Sequence, residues 1–331
     1  MNRNLKINTV YFLIPTFSLT KEMANKYMTY DFGVNAANFD VEDARDLCKK
    51  AWNDGVTSLV CLSNHPSEWS KVLNLATELN DNVVGENPPS LFFTLGVNAR
   101  NARFFTNDKH AELWQLLQHA SEDEQGWDLV ALTTGLDFTV PHLQAKENET
   151  QAQHSARVKA THNERKKTQF NVLKRMLGLA KKFNLKLHLQ LDGGDESFRA
   201  LLDAINEMGL ADRPDRGVIH SFVGTSQHAL TYINTGFKLG ITGVLYNGRR
   251  NVELLKALQN PKVKAEHLLV ASNTPYDSVW IRSRQNEPPK ESNPSVTGNI
   301  VYRLARVMNV DETTLGRQIY KNSMAFLGTS Q

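Results

Sequence analysis

At 331 residues the chain can hold one large α/β domain or two smaller ones, and 40% hydrophobic with 22% charged residues is an ordinary globular balance. A formal net charge of +3 is too small to dictate a polyanionic partner, and the absence of any apolar run of about 18 residues argues against a membrane span. Two cysteines, Cys48 and Cys61, have no metal-type spacing and make no disulfide framework. They read as buried thiols in a reducing compartment, so a cytoplasmic protein is expected.

In chain order, the first candidate element is the apolar run Ile7 to Ile14, preceded by Arg3 and Lys6 and followed by Pro15. It is short and lacks a small-residue cleavage site. An N-terminal extension over residues 1–27 is therefore expected to be an extra strand or docking arm, not a signal peptide. From there short β-like runs alternate with helical segments. The strands are predicted at Thr29–Val34, Ser58–Leu62, Leu91–Leu95, Leu129–Thr133, Leu185–Leu191, Gly217–Ser221, Phe237–Ile241 and His267–Ala271. Eight such runs with helices between them predict parallel βα units closing into a TIM (β/α)8 barrel over residues 28–331. Asp40 is placed to cap a helix that buries Ala44, Leu47, Cys48 and Ala51 and ends at Gly55. Phe170, Leu173, Leu177 and Ala180 recur at helical spacing and should pack on the sheet. The tail from Asn293 to Leu327 reads as two helices, the second capped by Asp311.

The exceptional segment is Thr139 to Lys167. It is polar, begins without clear periodicity, and carries Arg157, Lys159, His162, Arg165, Lys166 and Lys167. In a barrel it follows a strand C-terminus and overhangs the mouth, where long loops carry function. The alternative is a solvated helix start on a surface insertion.

Several strand ends share a character. Gly96-Val97-Asn98-Ala99-Arg100, Thr133 to Phe138, Leu189-Gln190-Leu191-Asp192, Ile219 to Gly224 and Ala271 to Tyr276 sit where a barrel hydrolase holds its metal. Yet the side chains there are mostly neutral, weak donors. Asp31-Phe32-Gly33-Val34-Asn35, Gly135-Leu136-Asp137-Phe138, His220-Ser221-Phe222-x-Gly224, Gly240-Ile241-Thr242-Gly243 with Arg249-Arg250, and Leu268-Leu269 with Thr274-Pro275-Tyr276 occur in the order found in TatD proteins. Asn286-Glu287-Pro288 and Lys321-Asn322 add two late signatures. The chain thus resembles the TatD family of metal-dependent deoxyribonucleases in the amidohydrolase superfamily, from near Tyr30 to Gly328.

That resemblance implies a TIM barrel, one or two divalent ions (magnesium, manganese or zinc) held by His and carboxylates, and phosphodiester hydrolysis by metal-bound water. Matched position by position, the family's first-strand His pair falls on Gly33 and Asn35, a variant TatD itself shares. The two histidines of its Gly-x-His-Pro-His loop fall on Asn98 and Arg100. The bridging Glu falls on Thr133, the fifth-strand His on Gln190, and the Arg two residues later on Asp192. The final Asp falls on Asn273 and the Glu of the same motif on Ala271. Of the five positions that matter most for metal (Asn98, Thr133, Gln190, His220 and Asn273), only His220 keeps the family's residue.

Hard cations need anionic oxygens, and zinc prefers imidazole, thiolate or carboxylate. Replacing the bridging Glu and the final Asp removes two formal negative charges, and unassisted water keeps a pKa of ~16. The expectation is a catalytically inactive TatD-like protein, without cofactor, that acts by binding or assembly. The alternative is an active phosphodiesterase with a shifted metal site drawn from Asp31, Asp137, His188, Asp192 and His220. A third reading has nucleic acid or nucleotide bound through Arg157, Lys159, Arg165, Lys166, Lys167, Arg249 and Arg250; a protein partner also remains open. Asp137 has a simpler role available as well, accepting backbone N–H groups to hold its loop.

Overall fold

Eight parallel strands follow one another in chain order around the computed structural model, which describes residues 27–81, 89–122, 128–210, 216–247, 251–276, 278–279, 290–291 and 293–329. They are β1 (Thr29–Val34), β2 (Val56–Cys61), β3 (Ser90–Gly96), β4 (Leu129–Asp137), β5 (Lys186–Asp192), β6 (Gly217–His220), β7 (Phe237–Ile241) and β8 (Leu268–Val270). Helices α1 (Val41–Asn53), α2 (Trp69–Asp81), α3 (Asn107–Ser121), α4 (Gln151–Lys182), α5 (Gly194–Glu207), α6 (Ser226–Asn234) and α7 (Val252–Leu258) lie between strands, and α8 (Thr297–Met308) and α9 (Glu312–Leu327) follow the last. This is the TIM barrel expected from the alternation of short apolar runs and helical segments.

The barrel closes where β1 meets the segment after β8. Val34 bridges Thr274, and the Asn35 N–H donates to the Thr274 carbonyl at 3.0 Å. One turn lower, the buried Asp31 carboxylate accepts the N–H groups of Ser272 at 2.8 Å and Gly33 at 3.0 Å. The β1–β2 register steps from Asp31↔Leu59 to Val34↔Cys61, three residues against two, so β1 carries a bulge at this seam.

Two apolar layers flank the strands. Val60 of β2 and Val218 of β6 share one cluster with Phe32, Phe92, Leu269 and Phe326. Side chains from opposite strands meet only across the lumen, so this cluster is the barrel's filling. Phe326 comes from α9, and its carbonyl accepts from Lys186 at the start of β5, so α9 stoppers the end away from the mouth. Asn322 holds that helix in place by donating to the carbonyls of Ala265 and Leu268, both at 2.8 Å, which gives the Lys321-Asn322 signature a structural job. The second layer lies between strands and helices and includes Leu173, Leu177 and Ala180 of α4, with Phe170 partly buried beside them. Cys48 and Cys61 are buried free thiols.

The caps fall where the sequence puts them. Asp40 accepts from the Asp43 N–H and Asp311 from the Thr314 N–H. Tyr27 donates to Glu312 at 2.9 Å and to the Gly298 carbonyl at 3.2 Å, pinning the start of the barrel against α8 and α9. The extension before it lies outside the described residues, as do Arg249, Arg250 and Asn286-Glu287-Pro288.

One expectation needs correction: β4 does not end at Thr133 but runs to Asp137, paired with β5 from Ala131↔Lys186 to Asp137↔Asp192. Gly135, which reads as a loop residue, sustains that pairing: a Cβ there would lie 1.9 Å from the Gln190 carbonyl oxygen. The polar segment follows the reading of a solvated helix start and is helical from Gln151 onward. Thr150 and Gln153 form a reciprocal capping box, and α4 runs 32 residues. Its buried positions begin only at Gln169, so the preceding part of the helix is a solvated polar arm.

Burial lifts the Asp31 carboxyl from 3.8 to about 6, against the lowering effect of its bonds to Ser272 and Gly33. A carboxyl whose folded value is raised holds its proton more tightly than the unfolded chain does. Its contribution is whole below about pH 4 and is lost as pH climbs through 6, at a cost of roughly 1–3 kcal/mol. Asp31→Asn, which cannot ionise, should flatten that decline. Urea unfolding at a series of pH values between about 4 and 7 measures it, and parallel slopes for the two proteins would count against the assignment.

Candidate functional site

The C-terminal ends of the strands surround an open cavity of about 530 Å³, within the range of small-molecule sites. Asn35, Asn98, Gln190, His220 and Asn273, all singled out from sequence, line it, as do Arg100, Asp137 and Asp192.

The first group is joined by hydrogen bonds. Gln190 Nε2 donates to Asn64 Oδ1 at 3.2 Å, and Asn64 Nδ2 donates to Asn35 Oδ1 at 2.7 Å. Asn35 Nδ2 turns to the Thr274 carbonyl at 2.8 Å and, more weakly, to Asn273 Oδ1 at 3.4 Å. Asn273 Oδ1 also meets His220 Nε2 at 3.2 Å. An amide oxygen only accepts, so the imidazole donates through Nε2 and offers no lone pair there. Asn98 caps the short helix Ala99–Phe104 through Asn101 N, and Asn101 Nδ2 reaches the Asn64 carbonyl at 2.9 Å.

Thr133 lies apart from this run. It is fully buried inside β4, below the mouth, and shares a 2.7 Å hydrogen bond with Thr94. The extra length of β4 explains the difference from a rim position. Gly33 is the partner surface of His220: a Cβ at residue 33 would lie 2.5 Å from the imidazole Cε1.

The second group is charged. Asp137 and Asp192 are register partners on β4 and β5, and Arg100 bridges them, 3.0 Å from Asp137 Oδ2 and 3.7 Å from Asp192 Oδ2. The other Asp137 oxygen accepts the N–H of Thr139 at 3.1 Å and the Thr139 hydroxyl. Burial pushes the Asp137 carboxyl up, but the bonds from Thr139 and Arg100 more than offset it and hold it below the usual range. Asp137 thus does hold its loop.

The five residues of the shifted-site alternative divide between places. Asp137, Asp192 and His220 line the cavity, whereas Asp31 is spent on the barrel seam. His188 is buried, with Nε2 donating to the Phe32 carbonyl at 3.2 Å. Burial, then the neighbouring His220 ring 4.6 Å away, push it well down, so it is a neutral imidazole. Among the described residues no three His, Cys, Asp or Glu side chains are grouped to hold a metal ion. The inherited ligand positions present amides at Asn98, Gln190 and Asn273, a buried hydroxyl at Thr133 and one imidazole at His220, a donor set without a carboxylate that does not fit a divalent cation.

The basic arm is partly engaged. Arg157 clasps Glu149 with bonds of 2.7 and 2.8 Å and reaches the Gln144 carbonyl. Lys166 pairs with Glu196 at 2.6 Å. These two therefore hold the arm together, while Lys159, Arg165 and Lys167 make no hydrogen bond or ion pair among the described residues. Residues 1–331 contain no described helix long and apolar enough to cross a membrane.

Sequence reasoning missed Asn64, the centre of the amide run, together with Asn101 and Glu68, whose carboxylate accepts the Asn64 N–H at 2.6 Å. The signal was available: Asn64 lies three residues past the end of β2, and every strand end of such a barrel feeds its mouth.

Whole-chain comparisons agree with the geometry. The family described as TatD related DNase matches residues 30–328. The 3'-5' ssDNA/RNA exonuclease TatD of Erwinia billingiae is 26% identical over 297 residues, 89% of this chain and 97% of that protein. A TatD-family hydrolase from Entamoeba histolytica superposes with a TM-score of 0.69 at 18% identity, covering 92% of this chain and 99% of its own. A TatD homologue from Escherichia coli gives 0.66 at 16%, covering 91% and 98%.

Gly33→Ala should displace the His220 ring and destabilise the fold by about 1–3 kcal/mol, the usual cost of overpacking. Thermal unfolding measures the loss, and His220 ring resonances in NMR should move with it. An unchanged melting curve together with unmoved resonances would show that the ring is not seated on residue 33.

Proposed function

Because the chain belongs to the TatD related DNase family over residues 30–328, we propose that it is a non-hydrolytic member, a barrel that binds at its mouth and does not cut. One observation carries this reading: the run Gln190–Asn64–Asn35–Asn273–His220 ties three of the five ligand positions into hydrogen bonds among amides and an imidazole, with no carboxylate in it. Two carboxylates are missing from the inherited set, at Thr133 and Asn273, and nothing neutral compensates a dication in a partly dry pocket. Without the ion, no group here lowers the pKa of an attacking water into the working range.

What remains can position a ligand. Amides supply donors and acceptors at fixed points, Arg100 is held by two carboxylates, and the barrel keeps the cavity open. Elemental analysis of the purified chain, with an exonuclease assay on single-stranded DNA and RNA in magnesium, manganese and zinc, tests the reading. The expected result is metal well below stoichiometry and no degradation above the protein-free control. Turnover that requires metal and disappears on His220→Ala would overturn it.

The active alternative has one observation in its favour, the pairing of Asp137 with Asp192 on the wall that also holds His220. It predicts metal-dependent cleavage abolished by Asp192→Ala in the same assay. A nucleic-acid partner for the arm is supported by the three unengaged side chains, Lys159, Arg165 and Lys167. Replacing all three by Glu should weaken single-stranded DNA binding and reduce the salt slope by about 2 to 3, as expected for the loss of that many phosphate contacts. Binding indifferent to salt in the parent chain would remove that partner.

A further inference from the structure

The mouth's free hydrogen-bonding valences and its charge select a ligand, and this step rests on the non-hydrolytic reading above. Asn98 Oδ1 is used in capping, which leaves its Nδ2 without a partner among the described residues. Asn273 Oδ1 is taken by His220 and Asn35, which leaves its Nδ2 in the same position. Gln190 donates through Nε2 to Asn64, and Asn101 donates through Nδ2 to the Asn64 carbonyl; each leaves its side-chain oxygen as an acceptor. The cavity wall therefore presents two neutral donors and two neutral acceptors, all on side chains fixed by their other bonds.

The formal charges point the same way. Among the described residues, Glu68, Asp137 and Asp192 line the cavity against a single guanidinium, Arg100, and Arg100 is already committed to both aspartates. Position 192, where the resembling family carries Arg, is here a carboxylate. Without a divalent ion to reverse the sign, a phosphate entering this cavity meets a net excess of two carboxylates. Solvent in the open mouth screens that repulsion without abolishing it, so a phosphate is still disfavoured relative to a neutral group. A neutral ligand meets no such penalty.

We propose that the mouth binds an uncharged, polyhydroxylated ring, the chemistry shared by the sugar of a nucleoside and a free saccharide, and rejects its phosphorylated form. Each ring hydroxyl is both donor and acceptor, which is what alternating amide Nδ2 and Oδ1/Oε1 groups require. Tyr276, exposed at the rim and tied through its hydroxyl to Asn38, offers an aromatic face at the entrance.

The test uses the full chain in EDTA at low salt, with saturation-transfer NMR and isothermal titration. Two pairs of probes are compared: adenosine with AMP, and N-acetylglucosamine with its 1-phosphate. The expected result is binding of the neutral member of at least one pair, with the phosphorylated member at least tenfold weaker; which pair responds distinguishes nucleoside from saccharide. Gln190→Leu should weaken the neutral probe about tenfold, the cost of one lost hydrogen bond to a bound ligand. Asp192→Asn should narrow the discrimination against phosphate while the melting temperature stays close to the parent's. Equal or tighter binding of the phosphorylated members, or no binding of any probe, overturns the proposal. Because EDTA removes metal from this experiment, its failure is separate from the outcome of the nuclease assay.

Discussion

The seam between β1 and the chain just past β8 is the constraint on which the rest of this molecule depends. A barrel of parallel strands has no hairpin to join its first strand to its last, so closure relies on a few hydrogen bonds made there. Here Asp31 takes the Ser272 N–H, and Asn35 uses both its backbone N–H and its side-chain Nδ2 on Thr274. The same bonds bring Asn35 beside Asn273 and turn both toward the cavity. Closing the barrel and building the mouth are one event. A carboxylate at position 273 would place charge directly against this seam, whereas the amide extends it.

That coupling gives the polar amides at the mouth a structural job that apolar side chains could not do. Each amide has both a donor and an acceptor, so a run of them can link strand to strand around the rim. Asn64 links Gln190 of β5 to Asn35 beyond β1, and Glu68 holds the Asn64 backbone. The amide run thus links β1, β2 and β5 at the rim without formal charge.

The fold was legible in the sequence because its signals are local and repeated. Alternating strand and helix patterns, the caps at Asp40 and Asp311, and the α4 stripe from Phe170 to Ala180 each required only near neighbours to interpret. The mouth was legible where a motif supplied the register, as at Asn35, Asn98, Gln190, His220 and Asn273. It was not legible where placement depends on strand length or on a partner distant in sequence. Thr133 was expected at the rim as the end of its strand and the match to the family's bridging Glu, but the missing Cβ of Gly135 lets β4 and β5 run on in close contact. Asn64 carries no charge and belongs to no motif, so its importance arises only when β2, β1 and β5 are brought side by side. Arg157 shows the converse: a basic residue that invites a nucleic-acid reading is committed to Glu149, eight residues earlier, because the loop entering α4 folds back on it.

The charged half of the mouth has its own constraint. Asp137 and Asp192 are register partners, and two carboxylates on adjoining strands repel each other. Arg100, at a loop position where the resembling family has His, relieves that repulsion by spanning the pair. Its side chain is 70% exposed, so the gain in stability is small and screened. Its consequence is positional: it fixes a guanidinium and two carboxylates on the β4–β5 side of the cavity, opposite the amides of β1 and the segment after β8. The densest negative charge of the mouth thus lies at the ends of β4 and β5, with Glu68 adding a third carboxylate beside the amide run.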